Sequence, residues 1–101
     1  MIPKEIIQEF VLKLQIEQAD CVKCILQRAQ MQSERSNFIT PPIDELMEEE
    51  NKFFELYDPE DMENHMIDLY RHKTLSWVIK DLQTFLKTDY GQKNDNQSIG
   101  D

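Results

Sequence analysis

Cys21-Val22-Lys23-Cys24 is the arrangement in this chain best suited to carry chemistry. Two thiols at i, i+3 can form a redox pair or supply half of a zinc site. A redox pair wants its first thiol at a helix N-terminus, where the dipole stabilises the thiolate, and a βαβ unit beside it. Here the pair lies in the middle of a long helical pattern, with Cys21 inside the apolar arc and Cys24 at its edge. A zinc site needs two further ligands. The only histidines, His65 and His72, are seven residues apart, about 10.5 Å along a helix, so both do not reach one ion. Core or half-exposed thiols are the expectation, with no metal and no cofactor. A metal- or thiol-based sensor built on Cys21 and Cys24 is the alternative reading.

Asp61-x-x-x-His65 and Asp68-x-x-x-His72 repeat one spacing a heptad apart. At i, i+4 each pair can make a surface hydrogen bond or ion pair worth a few tenths of a kcal/mol, about the scale of a solvated helix face. A carboxylate di-iron site wants Glu-x-x-His on two helices, and the chain has none. There is no nucleophile elbow, no glycine-rich phosphate loop and no Ser/His/Asp arrangement in context. Both glycines, Gly91 and Gly100, fall near the C-terminus, so no close-approach loop offers itself to a cofactor. The sequence reads as a non-enzyme.

The elements that carry these residues follow from the breakers. All four prolines (Pro3, Pro41, Pro42, Pro59) stand at inferred helix starts, where a missing N–H costs nothing. No stretch alternates with period two between turn residues, so no sheet is expected. Pro3 to about Arg35 reads as a first helix, with Ile6, Ile7, Phe10, Val11, Leu14, Cys21, Val22, Ile25 and Ala29 in one apolar arc. Gln18 falls inside that arc, where an amide either fixes register between helices or sits at a wet edge. Phe38 and Ile39 are expected to plug the end of the bundle. A second helix is predicted from Pro41 to about Tyr57, with Glu50 near the centre of its apolar face and close to solvent.

The third helix organises the rest. Asp58-Pro59-Glu60-Asp61 is a start signal, and no Gly or Pro follows until Gly91. On a wheel of about 100° per residue, Met62, Met66, Leu69, Tyr70 and Trp77 form one stripe. Leu75, Val78, Ile79, Leu82, Phe85 and Leu86 form another on roughly the opposite side. One straight helix cannot bury both against a single neighbour, so either the helix bends near residues 71–74, which is the expectation, or its first half packs one way and its second half another.

A chain of 101 residues, 40% apolar and 31% charged, suits one folded domain over residues 1–89. The polar stretch 90–101 is expected to be a disordered tail. No run is long and apolar enough for a membrane span, and Met1 to Glu5 lacks the pattern of a secretory signal. With two closely spaced cysteines, a reducing, cytoplasmic setting is the default. The net charge of −9 is concentrated: residues 44–68 hold eleven acids against Lys52, a balance of −10, and the remainder sums to +1. That stretch repels phosphate, so direct nucleic-acid binding is not expected.

The expected fold is all-α, a long-short-long three-helix bundle or helical hairpin. A short middle helix covers only half of a seam between two long ones, so the chain is expected to associate, most simply as a homodimer completing a larger bundle. The leading function is a protein-binding, regulatory module acting stoichiometrically on a protein partner, with the acids of residues 44–68 suiting a basic one. Phe53, Tyr57, Met62, Met66, Tyr70 and Trp77 are the candidate interface, aromatic and Met residues being those that dominate interface cores. The opposing reading makes the same six residues intramolecular core. A sharper variant has the acidic stretch mimic DNA and inhibit a nucleic-acid enzyme.

Overall fold

Asp58 begins the clearest helix-start signal in the sequence, and its side chain accepts from the Asp61 N–H at 2.7 Å. Pro59 at the first position needs no partner for the donor it lacks. The computed structural model describes residues 3–88; the tail expected at 90–101 lies outside them. The order is α1 (Lys4–Ser36), α2 (Ile43–Leu46), a 3-10 turn (Lys52–Leu56) and α3 (Pro59–Phe85). The fold is all-α, two long antiparallel helices packed on each other, with no strand among the described residues. No helix among them is long and apolar enough to cross a membrane.

α1 ends where Asn37 turns left-handed, at φ 60° and ψ 35°. Asn tolerates that conformation better than other side chains with a Cβ, and it lets the Asn37 and Phe38 N–H groups close on the Ser33 carbonyl. Phe38 and Ile39 do not plug the bundle: they are 59% and 92% exposed.

The middle helix predicted from Pro41 to Tyr57 is corrected to a single turn, Ile43–Leu46, and a separate 3-10 turn. Two features stop it. If the helix continued, Asp44 with Glu48 and Glu45 with Glu49 would face each other as like charges at i, i+4. Asn51 then adopts an extended backbone, φ −156° and ψ 140°. Its Oδ1 accepts from the Phe53 N–H at 2.9 Å and its Nδ2 donates to the Glu45 carbonyl at 3.3 Å. Asn here bonds its own backbone surroundings better than a helix would. Glu50 stands exposed, as expected.

α3 is also corrected: it runs unbroken through residues 71–74. Its buried positions are His65, Leu69, Leu75 and Ile79, with His72 and Ser76 half-buried between them. By the wheel this row lies between the two apolar stripes, about a quarter-turn from each. The helix therefore buries neither stripe fully, and needs no bend. The facing row on α1 is Ile7, Val11, Cys21, Ile25, Ala29 and Gln32.

Polar groups set the register along this seam. The Gln18 side chain donates to Ser76 Oγ, so the amide sits in the seam and not at a wet edge. Arg28 donates to Asp68 Oδ2 at 2.7 Å, both side chains largely buried. The connector between the helices folds back over one half of the hairpin. Leu46, Phe53, Phe54 and Tyr57 pack there against Ile25 and Ala29, with Leu26, Ile43, Met47 and Met62 around them.

A continuous α3 makes a specific demand on Thr74. Thr74→Pro is expected to cost about 3 kcal/mol or more in chemical denaturation, since it removes a mid-helix hydrogen bond and clashes with residue 70. A loss under about 1 kcal/mol would place a natural break at residues 71–74 instead.

Candidate functional site

The six candidate interface residues divide into two groups. Phe53 and Tyr57 are each 8% exposed. Their rings meet edge to face, with centroids 5.7 Å apart. They belong to the intramolecular core. Met62 packs half-buried on that core, and Met66 is likewise half-buried. Tyr70 and Trp77 lie on the surface, 50% and 76% exposed.

Tyr70 and Trp77 meet at an open groove of about 680 Å³, lined by Met47 from the connector and by Tyr70, His72, Lys73, Ser76 and Trp77 from α3. The seven-residue step from Tyr70 to Trp77 puts both rings on one face of the helix, two turns apart. Met47 adds an adaptable apolar wall. At the groove's edge Lys73 Nζ lies 2.9 Å from Glu49 Oε1 and 5.6 Å from the Tyr70 ring centroid. The Lys73–Glu49 pair is exposed and worth at most about 1 kcal/mol; its consequence is geometric, drawing the Glu48–Glu50 run alongside an apolar groove. Charge and apolar surface therefore adjoin.

The thiol pair is separated by its helix. Cys21 is 1% exposed and Cys24 is on the surface. Burial pushes the Cys21 thiol up, against a smaller lowering by Arg71, so it is a poor nucleophile. Among the described residues no group of three or more His, Cys, Asp or Glu is placed to hold a metal ion.

The Asp-x-x-x-His reading is corrected. His65 is fully buried, not on a solvated face. Its ring lies 4.3 Å from that of Phe54 and 5.8 Å from that of Tyr57, centroid to centroid, and neither ring nitrogen has a hydrogen-bond partner. Asp68 turns to Arg28 rather than to His72. Arg28 Nη1 and the Tyr57 hydroxyl are also buried without partners. Arg28, Tyr57, His65 and Asp68 form a polar knot beneath the connector. Burial lowers the His65 pKa first, Arg28 lowers it further, and Asp68 opposes them. Burial raises that of Tyr57, with Arg28 working against it. His72 is lowered by burial.

Sequence reasoning missed Arg28, Met47 and Lys73, and it placed His65 on the solvated face rather than in the core. A signal existed for Arg28 and His65. Following Ile7, Leu14 and Cys21 by sevens arrives at Arg28, and stepping back from Leu86 through Ile79 and His72 arrives at His65. Both are polar residues on a heptad seam. Compared with protein-family models, with curated proteins and with solved structures, the chain matches none.

The knot makes stability depend on pH with a definite sign. His65 has a folded pKa below its ordinary 6.5, so the unfolded chain takes up the proton first. Stability is complete above about pH 6.5 and falls as pH drops below it, by at most about 1.4 kcal/mol per pH unit for one group. His65→Leu should flatten the dependence between pH 7 and pH 5, leaving only the part due to His72. Equal slopes in the two proteins, measured by denaturant titration, would remove His65 as the cause.

Proposed function

We propose that this protein is a small acidic helical module that regulates a protein partner by stoichiometric binding, without turnover, in a reducing, cytoplasmic setting. Its docking face is the groove of Met47, Tyr70 and Trp77. The occupant is an amphipathic segment carrying an apolar or aromatic anchor flanked by Lys or Arg. The observation that carries this reading is Trp77, the only Trp of the chain, standing 76% exposed beside Tyr70 and Met47. A large indole left in water is an anchor of the kind that contributes most to interfaces. The flanking Glu48–Glu50 run, tied to the groove through Glu49 and Lys73, suits a basic flank and speeds encounter with it.

Trp77 reports on its own groove. Two peptides of identical apolar pattern, one flanked by Lys and Arg and the other by Glu, should behave differently when titrated onto the full chain. The basic peptide should shift Trp77 fluorescence to the blue and bind more weakly as salt rises. Trp77→Ala should weaken its binding, read by calorimetry, by about thirtyfold, the 2 kcal/mol of an interface hot spot. Absence of binding by the basic peptide, or equal binding by both, would overturn the reading.

A further inference from the structure

We infer that the half of the hairpin left uncovered by the connector is a self-association surface, on which a second copy of the chain docks antiparallel to form a four-helix bundle. The hairpin measures 66 × 20 × 19 Å with a radius of gyration of 19.1 Å, where a compact chain of this length would have about 13 Å. Outside the half covered by the connector it is only two helices thick, one helix with its side chains being about 10 Å across. The described core cluster lies wholly under the connector. In the other half, among the described residues, only Ile7, Val11, Cys21, Leu75 and Ile79 are buried.

The apolar side chains that should complete a core there are on the surface. Ile6 and Phe10 of α1 are 55% and 50% exposed, and Val78 and Phe85 of α3 are 38% and 40% exposed. By helical spacing these four, with Leu14 and Leu82, share one flank of the seam. Trp77 and Tyr70 lie on the other flank. The self-association surface and the groove are therefore separate, and this inference does not rest on the proposed function.

Charge and area name the occupant. Residues 3–24 and 72–88 hold six lysines against five acids, a balance of +1, whereas residues 25–71 hold four basic residues against twelve acids, a balance of −8. Two copies can bring the near-neutral halves together without repulsion, and the antiparallel arrangement sends the two −8 halves to opposite ends. A basic partner is drawn to the other half of the molecule. The uncovered flank is about 30 Å long by the helical rise and as wide as the hairpin, 20 Å. That is about 600 Å² on each copy, or about 1,200 Å² in all, the lower bound for specific interfaces. Gln18 is level with Ser76, so Leu14 and Lys80 mark the middle of the flank and Val78 comes close to its own counterpart across the two-fold axis.

Sedimentation and small-angle scattering of the full chain test this directly. A dimer of twice 12.1 kDa is expected. Its greatest length for the helical body is about 100 Å, two 66 Å hairpins overlapping by about 30 Å. Val78→Glu and Val78→Lys should each be monomeric and helical, and mixing the two should restore the dimer. That recovery is impossible if the substitutions merely unfold the chain. Trp77→Ala should remain dimeric. A monomeric wild-type chain, a dimer no longer than one hairpin, or a dimer unaffected by either substitution at Val78 would overturn the inference.

Discussion

Two long helices share a single line of contact, and everything else in this fold answers that constraint. A pair of cylinders cannot enclose a volume; it can only bury one row of side chains from each. Here that row is not purely apolar. Gln18 with Ser76 and Arg28 with Asp68 interrupt it at two levels, and each pairing is satisfied in only one register. Apolar rows alone slide past one another by a turn at modest cost, whereas a displaced Arg28 would leave a largely buried charge unpaired. The polar members of the seam fix the alignment that its apolar members stabilise.

The connector supplies the third dimension that the helices lack. Because Glu48–Glu50 and Asn51 prevent a second long helix, the segment can fold back and bring Leu46, Phe53, Phe54 and Tyr57 over Ile25 and Ala29. His65 is the consequence of this closure. It fills the space between Phe54 and Tyr57 as an aromatic plane, and its nitrogens forgo the hydrogen bonds that water would have given them. The same closure ends at Met47 and Glu49, which is why a groove begins there and why its edge is acidic.

Much of the helical architecture is legible in the sequence because proline and glycine placement speaks directly about backbone. Asp58-Pro59 gives a helix start that the structure reproduces, and the start of α1 after Pro3 follows from the same logic. The seam of α3 is not legible by apolar periodicity. Its row contains His65, Asp68, His72 and Ser76 among its apolar members, so a search for hydrophobic stripes finds the two flanks and infers a bend between them. The middle segment misleads for another reason: its apolar residues keep helical spacing, and the side-chain chemistry of Asn51 decides the backbone instead. Of the candidate surface, Tyr70 and Trp77 could be placed by their spacing, while the burial of Phe53 and Tyr57 depends on the path of the connector, which local pattern does not encode.

The uneven cover along the hairpin also orders its folding. Arg28 and Asp68 are 40 positions apart in the chain, and Gln18 and Ser76 are 58 apart. Contacts nearer the connector close the smaller loops and lose less chain entropy in forming, and they are the ones backed by the aromatic cluster. The hairpin should zip from the connector outwards and fray in the reverse direction, with backbone amides near Lys4 and Phe85 exchanging with solvent long before those around Ile25 and Leu69. The chain thus holds a firm end and a yielding end, and the looser one is the end that carries the inferred docking surface for a second copy.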